Sequence, residues 1–367
     1  MKYKDDWAAC QARFDAFWSG GPTDRCLVAV TAPRQTPLPS DLSFQAYGSL
    51  EDRWMNADRI FHNLLAGCGQ VFLGGESFPN FFPNLGPGVV AGFMGSPFRL
   101  AEDTVWFDRD PILRDWDRMP PIQLDRESLP WTVIRRMTEQ WVSRSGGDFC
   151  VALPDLGGTL DILASLRGTE NLLTDFLDRP DDVLSLVEDV DRIWLQCYRE
   201  LQALLSPHQE GTTAWLPLWC RGRYYPIQCD LSAMISPDHF LQFALPSLER
   251  QAAFLDRSIY HLDGPGQLVH LDHLLAMDRL TGIQWVPGAG APDEMDPAWY
   301  PLYRKIQAAG KLLVLSCRDP RRIEPLLDAI SPAGLYVATS CGTEAEARDL
   351  LDQVARWSET ALRRIEG

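Results

Sequence analysis

The chain has 367 residues, 46% of them hydrophobic and 10% aromatic, and a formal net charge of −16 at neutral pH. Such a charge repels a phosphate backbone and an anionic bilayer, so nucleic acid and membrane surfaces are excluded as partners and a small molecule is expected instead. The opening MKYKDDWAAC has no apolar leader core, and no window holds the roughly eighteen apolar residues of a spanning helix, so a soluble, cytoplasmic protein is expected.

Taken in order, residues 5–18 place Trp7, Cys10, Phe14 and Phe17 at helical spacing before Gly20 and Gly21, which predicts an amphipathic opening helix. A first strand is expected at 26–30, a helix over 49–67 and a second strand at 70–75. The Pro- and Gly-rich stretch that follows, with a strandlike TVWF at 104–107 and a helix near 126–145, reads as an insertion spanning 74–147. A third strand at 149–158 precedes helical segments on both sides of Gly168, then a long helix from Asp181 with a single apolar stripe. The run at 212–219 is the expected fourth strand. Ser236 and Pro237 open a further helix that Pro246 should bend. The remaining apolar runs are SIYHLDG from Ser258, IQWVPGAG at 283–290, KLLVLSC at 311–317 and GLYVATSCG at 334–342, and a last helix is expected from Glu344 to about Arg364.

Eight short apolar runs, most of them followed by a turn and a helix, predict an α/β protein with a single (β/α)8 TIM barrel over residues 1–367. It carries an N-terminal helix and the long insertion after strand 2, folded over the mouth. A doubly wound sheet would usually carry a glycine-rich phosphate loop, and no GxGxxG or GxxxxGK[ST] pattern is present.

In such a barrel the carboxyl ends of the strands carry the chemistry. His261 and Asp263 stand two apart at a strand end and so point to the same side. They are candidate catalytic residues, with a hydrogen-bonded polar pair as the plainer alternative. Asp155, after the third strand, is a candidate acid or base that could equally cap the next helix. Trp219, Arg221, Arg223 and Tyr224 combine guanidinium groups with aromatics, an arrangement suited to clasping a flat anion, although the arginines could also be surface partners of Asp and Glu. Glu76, Phe78, Asn80 and Asn84 could line the same mouth. His270 and His273 read as a solvated turn and a helix start. Nine cysteines lack disulfide-scaffold spacing, and neither a GxSxG elbow nor HExxH is present.

The segments RGTENLLTDFLDRPDDVLSLVEDV (167–190), AMISPDHFLQFALPSLERQ (233–251), YHLDG (260–264) and SCGTEAEARDLLDQV (340–354) together resemble the uroporphyrinogen decarboxylase family, which includes cobalamin-linked methyltransferases. That resemblance implies a TIM barrel. The Arg-rich segment that holds porphyrinogen carboxylates in the decarboxylases is replaced here by TAPRQTPLPS, so the methyltransferase branch is the better comparison. Its zinc site implies a metal, zinc, on His261, Asp263 and Cys341, activating an acceptor at the mouth; Cys317, at the mouth end of the seventh strand, could be a further or substitute ligand. Asp263 stands where that branch has a cysteine. No corrinoid-binding unit is present, so any cobalamin would arrive on a separate corrinoid protein; a homodimer is admitted by the sequence. The alternative reaction is a metal-free decarboxylase or other lyase, with Arg221 or Arg223 holding a carboxylate and Asp155 or Asp263 handling the proton.

Overall fold

A computed structural model describes residues 1–21, 23–107 and 111–366. Eleven strands are present among them: β1 (Leu27–Pro33), β2 (Val71–Gly75), β3 (Asn80–Phe81), β4 (Arg99–Leu100), β5 (Val105–Trp106), β6 (Cys150–Val151), β7 (Tyr224–Gln228), β8 (Arg257–Asp263), β9 (Gly282–Val286), β10 (Leu312–Cys317) and β11 (Leu335–Ser340). One sheet runs β2-β1-β11-β10-β9-β8-β7, parallel throughout except for the antiparallel β1–β2 pair. A second, parallel pair joins β3 to β6, and β4 and β5 form a small antiparallel ribbon.

Helices alternate with the parallel strands, as crossover connections require. The core strands carry Val, Ile, Leu and Tyr on both faces, and β7 is buried along its whole length. A strand covered on both sides reads as a continuous apolar run because helices shield one face and neighbouring side chains fill the other. This α/β architecture puts every loop that follows a parallel strand of the main sheet at one end.

Several elements form where the residue pattern predicts. The opening helix spans Trp7–Ser19, buries Cys10, Phe14 and Phe17, and ends on Gly20 at φ 67°, a left-handed angle that favours glycine. Trp18 Nε1 donates to Trp219 O at 2.7 Å and ties this helix to the chain ahead of β7. The long helix runs Pro180–Leu205. Its buried Asp191 accepts from Ser247 Oγ (2.8 Å), Gln251 Nε2 (3.0 Å) and Arg250 Nε (2.7 Å), while Ser247 Oγ, its own proton spent on Asp191, accepts from Thr159 Oγ1 at 2.7 Å. This network fastens the start of the helix Thr159–Arg167 to two neighbouring helices. Around Pro246 the helix opens into a π turn over Phe240–Ala244, which absorbs the missing proline N–H.

Other expectations are corrected. The run at 70–75 forms a strand, but it pairs antiparallel to β1. The parallel strand that follows is the two-residue β3, inside the stretch expected to be an irregular insertion. Residues 212–219 make only isolated bridges, Leu153 with Ala214 and Thr212 with Cys220, and the strand lies later, at Tyr224–Gln228. Pro226 sits within β7, opposite Ile259 of β8. The expected helix at 49–67 is broken into Leu50–Met55 and Ala57–Cys68 at Asn56, whose side chain accepts from Arg59 N. All nine cysteines are free. No helix of the described residues is long and apolar enough to cross a membrane.

Candidate metal centre at the carboxyl ends of the strands

Strand β8 delivers His261 and Asp263 to one side of its carboxyl end, while Leu262 between them points into the core. The parallel register sets Gln228 of β7 and Gln284 of β9 level with His261. Two residues beyond Gln228 the chain turns at Asp230, and the ligand atoms of Asp230, His261 and Asp263 all lie within 4.8 Å of one another. His261 Nδ1 lies 2.8 Å from Gln284 Oε1. An amide oxygen only accepts, so Nδ1 carries a proton, and in the neutral ring that leaves the Nε2 lone pair for an electrophile.

Asp230 is held by a neighbour that the sequence does not single out. Asp161, in the first turn of the helix Thr159–Arg167, accepts from Asp230 N at 3.0 Å and Leu231 N at 2.7 Å, one oxygen to each. The helix can start this close to β7 because residue 158 is glycine. A Cβ there would lie 2.2 Å from Gln228 O and 2.4 Å from Asp161 Oδ2.

The electrostatics are those of crowded carboxyls. Burial, and then the charge of Asp230, raise the Asp161 carboxyl, although the two backbone N–H groups oppose the shift. Burial followed by Asp263 and Asp155 raises Asp230. Asp155 is pushed up to about 6 by burial, against the N–H of Gly157, which donates to it at 3.0 Å. None of these four carboxylates has a salt bridge to Lys or Arg among the described residues. Gln228 Oε1, level with His261, is buried without a hydrogen-bond partner. One imidazole and two carboxylates suit zinc or another first-row divalent ion, and an ion would neutralise the like charges that now oppose one another. The residues therefore fit a metal.

Of the residues expected at this site, His261, Asp263 and Asp155 are at the strand ends. Cys317 and Cys341 are outside the three-residue group. Cys317 Sγ points to Asp319 O at 3.0 Å, and burial pushes its thiol up to about 12. Cys341 lines a different groove, with Asp319, Arg321 and Trp357. Strands β10 and β11 stand two and three places along the sheet from β8.

The anion clasp is corrected outright. Tyr224 is level with Arg257, at the opposite end of the ladder from His261, four residues or about 13 Å away by strand rise. Arg223 pairs there with Asp256 at 3.3 Å and Arg221 with Glu210 and with Asp15 (2.9 Å). Trp219 is buried, its Nε1 donating to Glu210 O at 3.0 Å, and Tyr224 packs on Trp18. Glu76 is fully buried beneath β1, where its carboxylate receives Arg25 Nη1 at 2.7 Å, Arg25 Nη2 at 2.9 Å and Val28 N at 2.7 Å. It belongs to the core. His270 is buried as well, bonded through Nε2 to Ser232 O at 2.9 Å and stacked on Phe240. The sequence does not single out Asp230 because the strand before it lies at Tyr224–Gln228 and not at 212–219, nor Asp161, whose part depends on a contact about 70 residues away. An acidic residue straight after an apolar strand was the available signal.

The chain matches no family model and no curated protein. Among solved structures it is similar to a methyltransferase from Methanosarcina mazei, with a TM-score of 0.57, 13% identity, and coverage of 98% of this chain and 99% of the other. Likeness of this kind establishes a shared fold over the whole length.

Proposed function

We propose that this chain is a small-molecule methyltransferase of the uroporphyrinogen decarboxylase superfamily, in which one divalent ion, zinc by preference, is held by Asp230, His261 and Asp263. The observation that carries this reading is the convergence of those three side chains at strand ends, with Gln284 fixing the histidine tautomer. Likeness to a protein named methyltransferase supports the reaction class. In the same reading the six parallel strands of the main sheet and the β3–β6 pair close into a (β/α)8 barrel.

When bound, such an ion acts as a Lewis acid that lowers the pKa of a thiol, alcohol or water in its open position. The chain itself does the rest. Gln284 orients the imidazole, Asp161 holds the 229–231 turn so that Asp230 faces Asp263, and Asp155 accepts or returns a proton near neutral pH. A methyl group drawn from cobalamin would come from a separate corrinoid protein. The raised carboxyl of Asp155 favours a second reading, a carboxy-lyase in which that group delivers the proton to the new C–H bond.

Metal analysis of purified protein is the test. About one equivalent of zinc or a similar ion is expected in the native chain, and loss of it in His261→Ala and Asp263→Ala, because three-ligand sites rarely survive removal of one ligand. A metal-free native protein with full turnover on a carboxylic acid, and solvent deuterium in its product, would move the assignment to the lyase.

A further inference from the structure

Beside the carboxylate–imidazole trio is a cleft of about 240 Å³. Its apolar walls are Trp54, Phe82 and Trp215, and its acidic groups are Asp103 and Asp155. Trp215 joins the two places, since its ring meets the His261 imidazole edge-on at 5.2 Å. The aromatic walls are fixed from outside the cleft. Trp54 Nε1 donates to Ala101 O at 2.7 Å, and the segment carrying Trp215 is pinned by the bridges of Thr212 and Ala214.

The lining holds two carboxylates and, among the described residues, no Lys or Arg. Arg53 sits 5.8 Å from the Trp54 ring centroid but is not part of the lining. Aromatic faces carry negative electrostatic potential, so a cavity walled by indole and phenyl rings and closed by an unpaired carboxylate attracts positive charge. The kind of cation follows from the walls. A metal ion or a primary ammonium is strongly hydrated, and three ring faces return none of that water's hydrogen bonds, leaving only Asn84, Thr104 and the two carboxylates to replace them. An ammonium whose hydrogens are replaced by alkyl groups is weakly hydrated and gains apolar contact on the same rings. The small volume excludes a large aromatic ligand.

We propose that this cleft binds a small alkylated ammonium ion, its alkyl groups against Trp54, Phe82 and Trp215 and its charge balanced by Asp155. As a statement about substrate class this rests on the methyl-transfer reading, because it places a methylated nitrogen next to His261. Binding itself does not depend on that reading, and none of the cleft residues is a proposed metal ligand.

Calorimetry and tryptophan fluorescence with choline, and with its uncharged isostere 3,3-dimethylbutan-1-ol, test the proposal on the full chain with and without chelator. Choline is expected to bind at least about tenfold more tightly than the isostere, with or without metal. Trp215→Ala and Asp155→Asn should each weaken choline by roughly threefold to thirtyfold, whereas Trp215→Phe, which keeps a ring and the packing, should stay within a few-fold of the native chain. Asparagine at 155 can still accept from the Gly157 N–H, so that variant tests charge with the turn preserved. Equal binding of choline and its isostere, no binding of choline at millimolar concentration, or unchanged affinity in Asp155→Asn would overturn the proposal. Native protein purified without chelator that holds no metal yet binds choline would sink the metal-centred reading alone.

Discussion

Replacing Glu76 by alanine separates a core role from a role at the mouth. The carboxylate is fully buried and receives three hydrogen bonds of 2.7–2.9 Å, two from Arg25 and one from Val28 N; Arg13 Nη1 lies 3.7 Å away. Its removal leaves the Arg25 guanidinium buried without a counter-charge and one β1 N–H without an acceptor. Breaking a buried pair from one side costs about 3–5 kcal/mol, a large part of the roughly 5–15 kcal/mol that holds a domain folded. Replacing both partners by apolar residues of similar size, Arg25→Met with Glu76→Leu, removes the stranded charge and should recover much of that loss. Val28 N would still lack its acceptor, at about 1–3 kcal/mol. Urea unfolding of the single and double variants measures these differences. If Glu76→Ala unfolds within about 1 kcal/mol of the native chain yet loses activity, the buried-pair account is wrong and the residue acts at the site.

Arg221→Ala and Arg223→Ala should leave KM and turnover within about twofold of the native values, because both guanidinium groups pair with surface carboxylates away from His261. A large rise in KM for either would restore the anion clasp. Glu294 gives a pH signature: burial pushes its carboxyl from 4.5 up to about 7 while Ser316 N donates to it at 2.8 Å. Because the folded value is raised, its favourable contribution is complete below 4.5 and is lost as pH rises through about 7. Glu294→Gln, which keeps an acceptor for Ser316, should therefore match the native chain in acid and exceed its stability by about 1–2 kcal/mol at pH near 8, after allowance for partial exposure. Denaturant midpoints across that range check it, and a gap that does not change with pH would refute it.

The alternation of short apolar runs with amphipathic stretches was enough to read an α/β chain, the opening helix, the long helix with its single stripe, and the strand ending in His261 and Asp263. These are local properties: periodicity, caps and breakers act within a few residues, and a two-residue spacing at a strand end puts both side chains on one side whatever the rest of the chain does. Pairing direction is not local. The run at 70–75 looks like any other strand, and its antiparallel partnership with β1 depends on where the chain can travel after Gly75. Residues 212–219 and 224–228 are both apolar and both adjoin turn residues, and only packing selects the second as the strand.

That choice shifts everything near it. With Tyr224 opening β7, Arg221 and Arg223 precede the strand and fall at its amino end, while Asp230 follows it and joins His261 and Asp263. Whether a polar residue ends in a core, on a surface or at a site is a matter of contacts between distant segments. Glu76 meets Arg25 from 51 residues away, and Asp161 meets the 230–231 turn from about 70. Composition and spacing carry which groups the chain possesses and which side of an element each takes. The place of Asp230 beside His261 and Asp263, the position of both thiols outside that group, and the aromatic cleft next to it depend on strand order and register, which arise only when distant segments pack together.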